Sequence, residues 1–472
     1  MSEQWIVEET KSANFKDARI NARFSDTLAM LAEHPTASIP CASGGHAEMT
    51  ATYRLFDNPK VTIEKILQPH AEASVRRIAK QKTVLLVQDT TEIDLTRPEQ
   101  QVDGAGPLGT DQRLGFFLHP LHAFTPNGTP LGTVGLKHWT REIERKKQKD
   151  KKSNERAAEP FESKESYRWL QTLRRADEIA GQCSDTKVIC ICDSEADIYE
   201  MLVEKTSVNF IIRGCQNRVL NTKVHEDTPH HIREFVLAKN VITETVIDVR
   251  SRHLKIGCDE RGRRQPRKPR KAVCDVRSAC VSLRPPWRPK KSRLSPVEVN
   301  VVLVRERLPP AGEEPIEWML LTDLPIETES QLLKVINLYK TRWMIEIYFK
   351  VLKSGCLVEK RRFETIKRFQ SCLALYMIIA WRTLYISRLA RSVPDISCEA
   401  VFEPDEWKPV WQIIRNSPPP SEPPCLGEVV DMVAQLGGYI KRKNSPPGPK
   451  SIWIGIQRVY DFATCWRSFG PS

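Results

Sequence analysis

Several common signatures are missing from this sequence. No two cysteines have the CxxC spacing, and the thirteen cysteines are odd in number and scattered, so neither a secreted disulfide framework nor a common zinc ribbon is indicated. The opening residues, MSEQWIVEE, lack a basic-then-apolar leader, and the longest apolar run, residues 372–381, is too short to span a bilayer. We therefore expect a protein of a reducing compartment that is neither exported nor inserted in a membrane.

Positive charge is what the sequence has in excess. The 472 residues include 72 Lys and Arg against 59 Asp and Glu, and 40% are apolar, enough for the cores of several domains. Residues 251–293 hold fifteen of the basic residues and only three acidic ones, and their five prolines predict strands and loops. A nucleic acid partner is expected, with a solvated basic linker as the alternative for this segment.

The order of predicted elements indicates an α/β protein. Residues 14–75 have helical periodicity, and Arg19 and Arg23 lie one turn apart, which fits a DNA-contacting module or an ordinary helix with exposed arginines. Strands at 83–88 and on both sides of Asn127-Gly128 predict a three-stranded meander. The later elements alternate: helix 162–179, strand 187–192, helix 195–203, strand 208–213, strand 318–323 and helix 330–353. This order is typical of a ribonuclease-H-like core, a mixed sheet flanked by helices, with a strand-rich insertion and helical modules at both ends.

Two aspartates follow buried strands. Asp89 comes after TVLLVQ, and Asp193 comes after KVICIC. Open α/β sheets place their sites at the carboxyl ends of strands, so both side chains are candidate site residues. The structural alternatives are a turn closed by Asp89 and a helix capped by Asp193.

A polar stripe runs along the predicted helix 330–353. Tyr339, Arg342, Glu346 and Lys353 fall within roughly a 60° sector if the helix is continuous, while the other faces are largely apolar. The alternative is a solvated edge on which Arg342 pairs with Glu346. Three acids and flanking cations suit Mg²⁺ and phosphate, because Mg²⁺ prefers carboxylate and phosphate oxygens and a pair of such ions can promote phosphoryl transfer. Zinc is not indicated, because the spacings among His119, His122, His138, His253, Cys258, Cys274 and Cys280 fit no common site.

These residues match a known family. DTT at 89–91, CDSEADI at 192–198 and the Tyr339-x2-Arg342-x3-Glu346-x6-Lys353 pattern resemble the DDE transposases of bacterial insertion sequences, in the Tyr-Arg-Glu-Lys branch that includes the transposase of transposon five. The resemblance covers nearly the whole chain, including DARINARF, WMLLTD and LGGYI. One departure is Phe349, where the best-known relative has a histidine.

The resemblance implies a domain plan and an activity. Residues 1–75 would be a DNA-binding domain, 76–370 the catalytic domain with an insertion at about 214–317, and 371–472 a dimerisation domain. Asp89, Asp193 and Glu346 would bind Mg²⁺, with Mn²⁺ as a substitute, and cut-and-paste transposition would proceed through a DNA hairpin. The residues implied to contact DNA are Tyr339, Arg342, Lys353, Trp318, Arg213, Arg19 and Arg23. Trp318 would stack on a flipped base, although it can also be a plain strand residue.

The expected partners are double-stranded DNA and a second copy of the chain. The DNA would be the inverted repeats at the element ends and the target, bound by a homodimer in the bacterial cytoplasm near the nucleoid. Two other functions stay open from the sequence: a metal-dependent nuclease without strand transfer, and an inactive DNA-binding inhibitor of transposition.

Overall fold

The computed structural model describes residues 3–109, 112–142, 159–221, 230–251, 267–287, 294–441 and 446–470. The chain forms two compact units. The first comprises Met1–Asp150, Glu178–Lys187 and Trp343–Ser472, and the second comprises Lys151–Asp177 and Val188–Arg342. His253, Cys258 and the rest of residues 252–266 and 288–293 of the basic segment lie outside the described residues.

The sheet of the first unit is built around its longest strand. The strands are β1 (Thr83–Gln88), β2 (Thr91–Asp94), β3 (Gly106–Pro107), β4 (Leu114–Phe124) and β5 (Pro130–Trp139). β4 pairs antiparallel with each of the other four. β1, β4 and β5 form the predicted meander, and the turn between β4 and β5 uses Gly128 at φ +83°, a left-handed conformation that favours glycine. The short strands β2 and β3 were not predicted.

Helices surround this sheet. They are Glu3–Thr10, Ala18–Glu33, Ile39–Ala42, His46–Asp57, Ile63–Ile78, Trp343–Lys350, Ile366–Ser392, Pro404–Arg415, Leu426–Leu436 and Pro449–Phe469. Helix Ala18–Glu33 begins after the cap Asp17 and buries Phe24, Leu28 and Leu31, as the helical spacing predicts. Helix Ile366–Ser392 contains the longest apolar run, and by length and composition it could cross a membrane. However, 83% of its apolar window is buried inside the protein, as in a core helix.

A buried ionic group joins the first helix to the core. Glu9 of helix Glu3–Thr10 accepts a hydrogen bond from Nδ1 of His70, and Arg77 donates to the same carboxylate at 2.6 Å. The backbone N–H of Thr133 donates to Nε2 of His70 at 3.0 Å, so the proton of the neutral ring lies on Nδ1. Burial alone raises the pKa of Glu9, but His70 and Arg77 outweigh it and lower that pKa below its usual value.

Glycines allow two C-terminal helices to touch. Helices Leu426–Leu436 and Pro449–Phe469 share a core with helix Pro404–Arg415. At Gly455 a Cβ atom would lie 1.8 Å from the carbonyl oxygen of Val433, and at Gly437 it would lie equally close to the carbonyl of Ser451. The two backbones are therefore in direct contact, which only glycine permits at these positions.

The second unit contains six strands in the order β6-β7-β11-β10-β9-β8. They are β6 (Lys187–Cys192), β7 (Asn209–Gly214), β8 (Thr243–Val249), β9 (Arg270–Leu283), β10 (Val297–Glu306) and β11 (Glu317–Thr322). β6 and β7 are parallel, and every later pair is antiparallel. β8, β9 and β10 lie within the predicted insertion, which is strand-rich as expected. The helices described for this unit are Tyr199–Val203, Ile232–Leu237, Glu329–Lys340 and the part of helix Tyr167–Gln182 up to Asp177.

The predicted continuous helix 330–353 is wrong. Helix Glu329–Lys340 ends where the N–H groups of Thr341 and Arg342 turn back to carbonyls three residues earlier, and a new helix, Trp343–Lys350, begins. A π-helical turn, Val351–Gly355, follows it and is closed by the bond from the N–H of Cys356 to the carbonyl of Val351 at 2.9 Å. A constant 100° per residue therefore cannot place Tyr339, Glu346 and Lys353 on one face.

Candidate active site

Asp193 stands at the end of a buried strand with an unsatisfied oxygen. Five of the six residues of β6 are buried, which fixes the strand and brings Asp193 to its end. Asp193 precedes the 3₁₀ turn Ser194–Ala196 but its side chain makes no capping hydrogen bond. Its Oδ1 is buried and has no hydrogen-bond partner in the described part of the chain. The alternative that Asp193 caps the following helix is therefore not supported.

Asp197, four residues later, has the opposite environment. Its Oδ2 accepts the backbone N–H groups of Cys215 and Gln216, both at 2.7 Å, and its Oδ1 accepts the guanidinium of Arg218 at 2.5 Å. These bonds account for a buried carboxylate with a structural role. Asp193 is distinguished from it by a buried oxygen that accepts no hydrogen bond from the described residues, as expected of a cation ligand.

Two signature residues lie beside Asp193. Nη1 of the buried Arg342 is 3.8 Å from Oδ2 of Asp193. The guanidinium carbon of Arg342 is 6.0 Å from the ring centre of Tyr339. Burial raises the pKa of Tyr339 to about 12, although the nearby guanidinium groups of Arg342 and Arg213 act in the opposite direction. Tyr339 is consequently a neutral phenol at physiological pH.

Trp318 and Arg213 complete this group. The ring of Trp318 meets that of Tyr339 edge to face, with centroids 5.4 Å apart and planes at 68°. Pairing of β11 with β7 places Leu320 opposite Arg213, and pairing of β11 with β10 places Trp318 opposite Val304. Asp193, Arg213, Trp318, Tyr339 and Arg342, which are far apart in the sequence, thus gather in the second unit.

The other signature residues belong to the first unit. Asp89 follows β1, and its Oδ1 accepts the N–H of the next residue, Thr90, at 2.8 Å. Glu346 lies in the first turn of helix Trp343–Lys350. Lys353, on the π-helical turn, donates to the backbone carbonyl of Glu92, and its Nζ lies 3.4 Å from Oε1 of Glu359. No sequence pattern indicates Glu359.

The three acids are divided between the units, with Asp89 and Glu346 in the first and Asp193 in the second. Within the described ranges, no group of three or more His, Cys, Asp or Glu side chains forms a metal-binding cluster. Their convergence stays a prediction. The carboxylates suit a hard divalent cation chemically, and the unpaired Oδ1 of Asp193 fits this use.

The two N-terminal arginines are on helix Ala18–Glu33. Arg19 is exposed, whereas Arg23 pairs with Glu48 at 2.5 Å. An ion pair to a neighbouring helix is a structural use of Arg23, and DNA contact by either side chain stays a prediction.

Comparison with known proteins gives three family matches. A model described as "Transposase DNA-binding" matches residues 2–61, "Transposase DDE domain" matches 136–381, and "Transposase Tn5 dimerisation domain" matches 378–469. The DDE match and the mixed α/β arrangement confirm the predicted ribonuclease-H-like class.

One solved structure is a distant neighbour. A cryo-EM structure of a piggyBac transposase synaptic complex with hairpin DNA is 9% identical, with a TM-score of 0.36 over 77% of this chain and 65% of that one. This chain thus spans slightly less than two thirds of that protein, and a likeness at this level carries no argument. The DDE model, by contrast, matches more than half of the present sequence, and the other two matches flank it. The chain therefore belongs to the family of DDE transposases, in the branch that includes the Tn5 transposase.

Proposed function

We propose that this protein is a cut-and-paste DNA transposase that binds inverted repeats at the ends of its element, cleaves them and joins their 3′ ends to target DNA. The observation that carries the proposal is the group formed by Asp193, Arg342, Tyr339 and Trp318. It combines an available carboxylate oxygen, a buried guanidinium and two aromatic rings. These are the groups needed for a cation, a phosphate and an unstacked base.

Asp89, Asp193 and Glu346 would hold the divalent cation, Mg²⁺ or in its place Mn²⁺. When bound, such a cation supplies Lewis-acid stabilisation of the phosphate oxygens and lowers the pKa of an attacking water. The donor set supports this assignment, because carboxylates are the preferred protein ligands of Mg²⁺ and Oδ1 of Asp193 accepts no hydrogen bond from the described residues.

The remaining side chains would position DNA. Arg342 can donate two parallel hydrogen bonds to one phosphate, while Lys353 offers a flexible point charge. Tyr339, neutral at physiological pH, can donate its hydroxyl to a phosphate oxygen. Trp318 offers a stacking surface for an extruded base, and Arg213 adds charge beside Tyr339. Arg19 and Arg23 would contact the repeat DNA.

The reaction would have four phosphoryl transfers at each end. Water attacks a phosphodiester and releases a 3′ hydroxyl, which then attacks the opposite strand to form a hairpin. A second water opens the hairpin, and the restored 3′ hydroxyl attacks target DNA in a final transfer that joins the ends. Bending the terminal nucleotides to make the hairpin costs a few kcal/mol, which stacking on Trp318 would offset.

The proposed active form is a homodimer on paired ends, supported by the match to a dimerisation domain over residues 378–469. We place its activity in the bacterial cytoplasm at the nucleoid, where its DNA substrates are.

A cleavage assay with Glu346→Gln tests the proposal. The wild-type protein with Mg²⁺ should produce nicks, hairpins and strand-transfer products on DNA that carries the element ends. Glu346→Gln should bind those ends with unchanged affinity and cleave roughly 10³-fold more slowly, because it loses one cation ligand. The matched control is Glu364→Gln, an exposed acid that pairs with Arg368 one helical turn away.

Each contrary outcome identifies an alternative. Cleavage without joining by the wild-type protein would make it a nuclease, and binding without any cleavage would make it an inhibitor. Normal cleavage by Glu346→Gln would remove this residue from the site.

A further inference from the structure

Lys353 is held on two sides by the first unit. Its ammonium donates to the backbone carbonyl of Glu92 in β2 and lies 3.4 Å from Oε1 of Glu359, in the short turn Val358–Lys360. An ammonium group has three donors, and these two contacts account for two of them within the described residues. The third donor is left for a phosphate oxygen.

Glu359 is itself fixed to the same strand. Its Oε1 accepts the N–H of Asp94 at 3.1 Å, and its backbone carbonyl accepts Arg97 at 3.1 Å. One carboxylate oxygen therefore bridges the lysine and β2, the strand that begins two residues after Asp89. The side chains of Lys353 and Glu359 are 26% and 30% exposed, so a ligand can still reach the ammonium.

Strand β2 is fixed in turn by Arg113. This guanidinium binds Glu92 and Asp94, each at 2.8 Å, and Glu92 also accepts the N–H of Gly109 at 3.1 Å. The segments that contact Lys353 are therefore a strand and a turn joined by hydrogen bonds and ion pairs, not unsupported loops.

We propose that Glu359 is a positioning residue for Lys353: its carboxylate orders the flexible lysine so that the remaining donor meets a DNA phosphate. The inference rests on the proposed function, because the phosphate is that of the element end. A four-carbon side chain is otherwise free to occupy many rotamers, and immobilising it on DNA binding costs entropy. The Glu359 contact removes that freedom before DNA arrives. A partly exposed ion pair adds little to stability, so orientation is the larger effect.

A double-mutant cycle separates positioning from a merely structural role. Glu359→Ala should slow single-turnover cleavage about tenfold in the wild-type background and add no further loss in a Lys353→Ala background. Glu359→Gln keeps an acceptor for Asp94 but loses the charge, and it should fall between wild type and Glu359→Ala. Glu364→Ala, the exposed acid five residues further on, is the control and should be silent in both backgrounds. Equal losses in both backgrounds, or no loss at all, would overturn the inference.

The salt dependence of end binding gives a second readout that does not need cleavage. Lys353→Ala should flatten the slope of log affinity against log salt by about 0.9, the value of one phosphate contact. In a Glu359→Ala background the same replacement should change the slope little, because the lysine no longer meets its phosphate. A full change there would contradict positioning by Glu359. A wild-type protein that binds but never cleaves would instead contradict the proposed function, and this cycle would still decide the inference.

Discussion

Asp193 and Asp197 show that the surroundings of a carboxylate determine its role. Both are acids just after strand β6, but Asp197 is buried and fully hydrogen-bonded, whereas Oδ1 of Asp193 has no partner within the described residues. A carboxylate satisfied by backbone N–H groups and an arginine serves the fold, and one with an unsatisfied oxygen is a candidate cation ligand.

We expect Asp193→Asn to stop cleavage without harming the fold. The amide has the same size but binds Mg²⁺ far more weakly, so the cleavage rate should fall by roughly 10³ while the thermal midpoint stays within about 2 °C. The control is Asp185→Asn, an exposed acid near the opposite end of the same strand. Single-turnover cleavage and thermal unfolding together check this, and full activity of Asp193→Asn would exclude it as a ligand.

The buried Glu9–His70–Arg77 group makes a prediction about stability. Glu9→Gln should lower the free energy of unfolding at pH 7 by about 3 kcal/mol, because Arg77 loses its buried counter-charge. Glu8→Gln is the control, since Glu8 is half-exposed and 3.9 Å from Arg77. Chemical denaturation of both variants would measure the difference, and similar losses would contradict a special role for the buried carboxylate.

The Glu9–His70–Arg77 group also determines how the free energy of unfolding changes with pH. Burial lowers the pKa of His70 below 6.5, with Glu9 opposing, and the pKa of Glu9 is below 4.5. The unfolded chain therefore binds more protons as pH falls, and wild-type stability should decrease below pH 6.5 and again below 4.5. The deficit of Glu9→Gln should begin to shrink below pH 4.5, where Glu9 of the unfolded chain takes up a proton while the folded carboxylate is still charged. Denaturation curves from pH 4 to 8 would reveal a contrary trend.

At the scale of elements, the apolar pattern of the sequence predicted the buried strands and missed the elements that depend on contacts between distant segments. Strands β1 and β6 are nearly continuous apolar runs with five of six residues buried, so their positions were readable. β2 was not readable, because its TEID sequence has only one buried residue and depends on pairing with β4. The break at 341–342 was missed because neither Thr341 nor Arg342 is a helix breaker; tertiary context overrides their propensity.

The candidate site also contains residues that the sequence predicted and one that it did not. Local spacing together with the family resemblance indicated Asp193, Tyr339 and Arg342, and the second unit brings them together. Glu359 could not be found, since its role depends on contacts with β2 and the π-helical turn. No periodic pattern encodes such contacts between distant segments.

The close approach of the last two helices can be tested at Gly455. Gly455→Ala puts a Cβ against the backbone of Val433, which cannot rotate away, so the C-terminal module should lose about 3 kcal/mol, at the upper end for overpacking. Gly181→Ala is the matched control, because nothing lies within 4 Å of its Cβ position. Hydrogen exchange of residues 426–469 and sedimentation would report local opening and any loss of dimers. Unchanged protection would contradict the tight helix contact.

At the scale of the whole molecule, the basic segment accounts for most of the net charge. Arg270 and Arg277 of this segment already have acidic partners, whereas Lys268, Lys271 and Arg284 are exposed. The exposed residues are therefore the better candidates for phosphate contact.

Neutralising these three residues to Gln should weaken DNA binding at any sequence. If each contacts one phosphate, the slope of log affinity against log salt should flatten by about 2.7 in total, at about 0.9 per contact. The control replaces Lys187, Lys205 and Lys367, which are exposed but outside the segment, and should change the slope by less. Fluorescence anisotropy at several salt concentrations measures both, and equal slopes in the two triple variants would leave the segment without a special DNA role.

The π-helical turn Val351–Gly355 restricts which deletions this part of the chain can tolerate. Its wider loop of backbone accommodates one residue more than an ordinary α-helical turn would. Deleting Val351 or Leu352 would narrow the turn to an ordinary α-helical one and move Lys353 back by one position, about 100° around the helix axis. Lys353 would then lose its contact with Glu92 of β2. This stretch can exchange side chains, but it cannot lose one residue and keep its lysine where it is.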